Sequence, residues 1–474
     1  MSIANYSLTI RASIRAEIGM LGRVLAAIGD AGGLAGGVDI VRSSTTAVTR
    51  DITIQANDEA HGEAITAAVA AIDGVTVESA NDRVFLSHMG GIVGMRNRVP
   101  VATRDDLSMA YTPGVARVCM AIHDDFEKAW DYTIKGTSVM VVSDGASVVG
   151  QGDLGPLASL PALEAKSAFL QKLAGIDAFP LPLTVRDPEK IAEVITLTSS
   201  VFAGIHLADI SAPRCFEVKR LLKERLDIPV FHEDQQGTAA VILAALTNGL
   251  AVAGKTLAEA TVVLAGLGPG GLAAARLLVS AGVGDLIACD SQGVLHPGRT
   301  DLNEDERWLA ENSNSTGREG DAATLLVGAD AFVGLSVPGL LTPKDIERMA
   351  ADPVVLALAS PDPEIGPTDA STVARVYGTG RPEVPNQINS GLASPGIWRG
   401  ALDCRATEIN EAMALAAARA IAETAVEEAG LAALNVVPSI FNPRLVPNVA
   451  AAVRDAAEET GVARLTGIAT THTV

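Results

Sequence analysis

Residues 261–282 read TVVLAGLGPGGLAAARLLVSAG. A short run of small and branched apolar residues leads into Gly266, Gly268 and Gly271, and a helix-like apolar repeat follows. Glycines in that spacing between a strand and a helix have a physical use. The first permits a tight turn, the second lets a pyrophosphate approach the backbone, and the third lets the helix pack on the strand. The helix N-terminus then offers unpaired N–H groups to the phosphates. Pro269 is compatible with this, because the first helical turn has no partner for the N–H that proline lacks. Asp290 follows Gly271 by 19 positions, at the end of a second apolar run. A carboxylate there accepts a hydrogen bond from the 2′-hydroxyl of an adenosine ribose and repels a 2′-phosphate. The stretch therefore predicts a Rossmann-type, doubly wound nucleotide-binding sheet that takes NAD in preference to NADP.

Toward the N-terminus the pattern changes. Apolar residues alternate over 6–14, recur at helical spacing over 21–28, and continue as two strand-like runs at 38–40 and 48–54, a helical run at 65–72 and a last strand at 75–77. The order is βαββαβ, a split βαβ sandwich that closes its own small core. The stretch AEIGMLGRVLAAIGDAGG (16–33) resembles the strand-to-helix turn of ACT domains, small modules that bind regulatory ligands at subunit interfaces. That resemblance implies either a small-molecule effector site or a plain dimerisation module. Glycines near 87–91 suggest a boundary.

Composition narrows the partners. The chain has 474 residues, with 36 Lys and Arg against 56 Asp and Glu, a net charge of −20 that repels nucleic acid and anionic lipid. The most apolar stretch, 239–252, is interrupted by Thr247 and Asn248 and falls short of the roughly 20 residues a bilayer requires. No secretory leader is recognisable. Cys119, Cys215, Cys289 and Cys404 are far apart and form no CxxC pair, so they read as isolated small hydrophobes in a reducing, cytoplasmic setting.

Between the two patterned regions lie segments whose polar residues packing does not explain: LSMAYTPGVA (107–116), SDGASVVGQGDLGP (143–156), LPALEAKSAF (160–169), HLADISAPRCF (206–216) and VFHEDQQGTAA (230–240). Together with ALASPDPEI (357–365) and PNQINSGLASPGIWRGALD (385–403), they resemble the malic enzyme family over about 105–410. The resemblance implies oxidative decarboxylation of malate to pyruvate and carbon dioxide. Such chemistry needs a base for the C2 hydroxyl proton, and a lysine serves if burial lowers its pKa. Lys166 matches the family's lysine and Tyr111 the tyrosine that protonates the enol carbon. Asp209 and Asp234 match two of the three carboxylates that bind magnesium or manganese, and Glu233 stands where an acid beside the lysine would orient it. Ser360 and Asn389 fall at positions near malate and the nicotinamide.

Several positions depart from the family. Ala208 precedes Asp209 where a glutamate ligand is expected, which should weaken the metal site at least 10- to 100-fold if even outer-shell losses do so. His206 is a poor substitute, since imidazole does not suit magnesium. Ser360 and Ser390 replace asparagines, Pro382 replaces a serine and Gln236 a histidine. Shorter polar side chains predict a roomier pocket and favour a related, bulkier 2-hydroxy acid substrate over loss of turnover.

The reading is an α/β chain with an ACT-like regulatory domain at 1–88, a substrate and metal domain at 89–238, and a Rossmann NAD-binding domain with C-terminal helices at 239–474. A homodimer or larger homo-oligomer is expected. No appended phosphotransacetylase partner is expected, because little chain remains beyond the nucleotide domain. The alternative is an attenuated or non-catalytic NAD-binding regulatory protein on the same fold.

Overall fold

The computed structural model describes residues 6–467, which fall into two units that divide between Gly94 and Met95. In the first, strands β1 (Tyr6–Arg15), β2 (Leu34–Ser43), β3 (Ala47–Ala56) and β4 (Val75–Asp82) form an antiparallel sheet in the order β2-β3-β1-β4. Alternation along β1 puts Leu8, Ile10, Ala12 and Ile14 on one face. The helices Met20–Asp30 and Glu59–Ala70 cover that face with Met20, Val24 and Ile28 and with Ile65 and Val69. The element order is βαββαβ. A short helix, Arg83–His88, occupies the start of the glycine-containing stretch near 87–91.

The second unit holds two sheets. In the first sheet β5 (Ser138–Ser143), β6 (Asp177–Pro182), β7 (Gly204–Leu207) and β8 (Val230–His232) run parallel in the order β6-β5-β7-β8. Helices on both faces bury β5 and β7 completely, which explains their continuous apolar runs. The second sheet comprises β9 (Thr261–Ala265), β10 (Asp285–Asp290), β11 (Gly293–Val294), β12 (Ala331–Gly334), β13 (Val354–Ala357) and β14 (Val376–Thr379). Its order is β11-β10-β9-β12-β13-β14, parallel except for the β11 edge.

The helix Thr238–Val252 connects the sheets and is buried on almost every side, so its unbroken apolar run is a core property. Its Asn248 donates to the carbonyls of Ala422 and Val436, each at 2.9 Å, fastening it to the C-terminal helices. The expected C-terminal helices include Glu411–Ala429, which Asn410 caps, and Leu445–Glu459. Among the described residues no helix is long and apolar enough to cross a membrane. Cys215, Cys289 and Cys404 are buried, but Cys119 is exposed, against the expectation of a buried hydrophobe.

Trp398 is fully buried beneath β7, and a Cβ on Gly204 would lie 2.2 Å from its ring. Gly204→Ala should therefore displace Trp398 and destabilise the protein by about 1–3 kcal/mol. Thermal unfolding and tryptophan fluorescence would register both effects; unchanged values would show that the ring is not seated this tightly.

Candidate active site

The second sheet reverses its strand order at β9, with β10 on one side and β12 on the other, so a crevice opens at the carboxyl ends of these strands. The glycine turn lines it. Gly266 has φ +99°, and a Cβ there would lie 2.3 Å from the Leu335 carbonyl oxygen. A Cβ on Gly271 would sit 1.8 Å from the Gly266 carbonyl oxygen. One on Gly268 would meet nothing within 4 Å, so this side of the turn is open. Gly268 caps the helix Pro269–Ser280 without a side chain, leaving first-turn N–H groups free for a phosphate. The cradle fits a dinucleotide. Asp290 ends β10 as expected, but its carboxylate is gripped by Arg299 at 2.9 and 2.8 Å.

A charged cluster forms in the same unit. Lys166 projects from the middle of the helix Pro156–Ala174, and Glu233 and Asp234 begin a one-turn π-helix, Glu233–Gly237, directly after β8. Asp209 lies two residues beyond β7 with φ +55°, an unusual conformation for a non-glycine residue. Lys166 Nζ donates to Glu233 Oε2 at 2.5 Å, and Ser390 Oγ donates to Glu233 Oε1 at 2.8 Å. His206 Nε2 is 3.5 Å from Glu233 Oε2. Trp398 Nε1 donates to His206 Nδ1 at 3.0 Å, so a neutral His206 carries its proton on Nε2, facing the glutamate. The Trp398 ring lies nearly parallel to the imidazole, 19° between planes, and Phe231 meets the imidazole edge-on.

Electrostatics follow from this geometry. Burial is the largest influence on Lys166 and favours the neutral amine, but Glu233, Asp209 and Asp234 together outweigh it and hold the ammonium above its ordinary range. The lowered lysine pKa expected from burial is thus not observed. Burial opposes ionisation of Glu233, yet Lys166 and His206 keep its carboxyl well below the usual range. Asp234 is pushed up to about 6, first by burial and then, against the pull of Lys166, by Glu233 and Asp209. Asp209 is raised too, first by burial and then, against the pull of Lys166, by Glu233.

The Asp209 backbone favours the ionised form of Asp234, a smaller influence than burial and the neighbouring charges. Asp209 Oδ2 is buried without a hydrogen-bond partner, an acceptor suited to a cation. Two hard carboxylates suit magnesium or manganese, which retain waters in their shells. Ala208 is buried and contributes no donor. Among the described residues no group of three or more His, Cys, Asp or Glu side chains is arranged to hold a metal ion.

Other expected residues stand apart. Tyr111 terminates the helix Arg104–Ala110, is 66% exposed, and has no hydrogen bond joining it to the cluster among the described residues. Asn389 is exposed and its Oδ1 accepts from Gly391 N at 2.8 Å, capping its own turn. Ser360 is exposed, with its Oγ only 2.6 Å from where a Cβ on Gly150 would be. Gln236 braces the backbone, accepting from His232 N and donating to Ile409 O, and Pro382 is exposed. Ser390 does not simply enlarge a pocket, because its hydroxyl is committed to Glu233. The roles of Trp398 and Arg299 escaped the sequence reading; a tryptophan inside the glycine-rich 391–400 stretch was the available signal for the first.

Because Asp234 titrates higher folded than unfolded, its ionisation removes stability as pH rises from about 4 through 6. Its carboxylate stays 44% exposed, so solvent moderates the effect. In chelator, Asp234→Asn should raise the melting temperature above pH 6 and lose that advantage by pH 4; a pH-independent difference would contradict this environment.

Residues 95–193 match the family model for the malic enzyme N-terminal domain, and residues 235–458 that for the malic enzyme NAD-binding domain. An NAD-dependent malic enzyme of Geobacillus stearothermophilus is 47% identical over 461 residues, covering 97% of this chain and 96% of the relative. A bifunctional malic/malolactic enzyme of Bacillus subtilis (strain 168) is 46% identical over 378 residues, 79% of this chain and 92% of its own. The crystal structure of an NAD-dependent malic enzyme from Thermotoga maritima superposes with a TM-score of 0.75 at 39% identity, covering 79% of this chain and 99% of that one.

Proposed function

The chain belongs to the malic enzyme family, and from that premise we propose that it oxidises malate with NAD and decarboxylates the product to pyruvate and carbon dioxide. One observation carries the reading at the site. A Cβ on Gly270, inside the dinucleotide turn, would lie 3.0 Å from the Asp234 carbonyl oxygen, so the charged cluster and the nucleotide crevice share a wall.

In this reading Lys166 takes the proton of the C2 hydroxyl, and Glu233, itself steadied by Ser390 and His206, keeps the amine aimed. NAD, when bound, accepts the hydride. Asp209 and Asp234 would hold magnesium or manganese, which supplies Lewis-acid stabilisation of charge developing on the C2 oxygen. With those carboxylates engaged, their pull on Lys166 weakens and burial, which favours the neutral amine, regains weight. Ala208 leaves the metal site short of one carboxylate, so affinity depends more on water and substrate oxygens. The shorter side chains of Ala208 and Ser360, where the family carries a glutamate and an asparagine, are the ground for extending the substrate class to related 2-hydroxy acids. Asn389 is placed near the nicotinamide end only by its motif.

Tyr111 protonates the enol carbon, and a second copy of the chain supplies it. Support comes from residues around it: the helices Arg104–Ala110 and Gly114–Asp124 bury none of their residues, and Val99, Leu107, Met109, Met120 and Phe126 are exposed. So much apolar surface around a family motif calls for a covering partner. A homodimer is the smallest assembly that provides one. The βαββαβ unit is read as an ACT-like module for a small-molecule effector, and the four unpaired cysteines suit a cytoplasmic setting.

With malate, NAD and manganese the protein should produce NADH, and Lys166→Ala should lower the rate by roughly 100- to 10,000-fold. No NADH across a panel of 2-hydroxy diacids would refute the reading. Mixing Tyr111→Phe and Lys166→Ala subunits after reversible dissociation should recover about a quarter of wild-type activity, because random pairing makes half the dimers mixed with one intact site each. Absence of recovery would place Tyr111 and Lys166 of each site on one chain.

A further inference from the structure

In a Rossmann-type sheet the adenosine ribose is read at the end of the second strand, here β10, and there Asp290 does not stand free. Arg299 Nη1 donates to Asp290 Oδ1 at 2.9 Å and Nη2 to Oδ2 at 2.8 Å. The same guanidinium holds Asp301, Nε to Oδ1 at 3.0 Å and Nη2 to Oδ2 at 2.5 Å. Gln292 N adds a bond to Asp290 Oδ1 at 2.8 Å. The Arg299 side chain is only 10% exposed although Asp301 is 54% exposed, so the arginine is built into the turn and not loosely paired at the surface.

Counting donors and acceptors shows what this arrangement admits. An ionised carboxylate has about four acceptor positions. At Asp290 three are taken, and the one left on Oδ2 is enough for a single ribose hydroxyl. A 2′-phosphate brings about −1.5 to −2 of charge and needs donors. Both edges of the Arg299 fork are already committed, and two carboxylates around one guanidinium leave a net formal charge of −1.

We infer that Arg299, clamped between Asp290 and Asp301, sets the preference at the 2′ position of the adenosine ribose: clamped, it lets Asp290 select the hydroxyl, and released from Asp301 it accepts a 2′-phosphate. This role rests on the nucleotide site proposed above and names the residue through which the choice between NAD and NADP is made. The specificity lies in the pairing of Arg299 with Asp301 as much as in the acidic residue at the strand end.

Binding of NADH and of NADPH to the full-length protein, followed by nucleotide fluorescence without malate or metal, tests it. Wild type should bind NADH more tightly. Asp301→Asn removes the carboxylate charge and one of its two acceptors from that edge of the guanidinium, and should shift the affinity ratio toward NADPH on the order of tenfold, the worth of one charge-assisted hydrogen bond. Arg299→Gln should shift it the other way, with Arg299→Lys, which keeps the charge without the fork, between wild type and Gln. Wild type that binds NADH while Asp301→Asn and Arg299→Gln both keep its ratio would overturn the role of Arg299 alone. Wild type that binds neither nucleotide would overturn the nucleotide site and the role with it.

Discussion

A lysine ammonium away from bulk water is costly unless a carboxylate lies against it, and a glutamate buried beside it is costly unless the cation stays. Lys166 and Glu233 satisfy each other at 2.5 Å, and each arrives on a different element, the Pro156–Ala174 helix and the turn after β8. Losing either would leave an uncompensated charge in a largely closed site. The pair therefore fixes where the helix and the end of the parallel sheet must meet. Asp209, Asp234 and Ser390 take their positions around it, and the Asp234 backbone forms the wall shared with the dinucleotide turn.

Seen from that pair, the departures from the family cease to be scattered. His206, Glu233 and Ser390 form one set of contacts, with His206 oriented by Trp398 and Ser390 and Lys166 bonded to opposite oxygens of Glu233. Ala208 sits two residues from His206 and is buried without a polar partner to satisfy. The polar residues that remain are tied to one another, which favours a rearranged site over a decayed one. What the arrangement lacks is a third uncommitted carboxylate beside Asp209 and Asp234, since both oxygens of Glu233 are taken by Lys166 and Ser390.

The sequence made the architecture legible where local pattern and tertiary role agree. Alternation in β1, the continuous apolar runs of β5 and β9, and the glycine spacing at 266–271 each have a single physical solution, and each element formed where its pattern lay. The cluster residues Lys166, Asp209, Glu233 and Asp234 were identifiable because their motifs resemble a family, not because spacing alone demanded them. Longer-range pairings were not legible. Arg299 lies nine positions beyond Asp290 in an irregular turn, and Trp398 lies far from His206 in sequence; only folding brings either pair together. Nor could composition show that Tyr111 would stand exposed on a helical arm, because amphipathic helices look alike whether the surface they bury against belongs to the same chain or another.

The proposed chemistry requires Asp209 and Asp234, held beside the Lys166–Glu233 pair, to bind a divalent ion close to the dinucleotide. Electron paramagnetic resonance of manganese titrated into the full-length protein, with and without NAD, measures this directly. One bound ion per chain is expected, held weakly alone and more tightly with the nucleotide, and lost in Asp209→Asn. Manganese that remains free at millimolar protein, or that binds equally well to the Asp209→Asn protein, would contradict it.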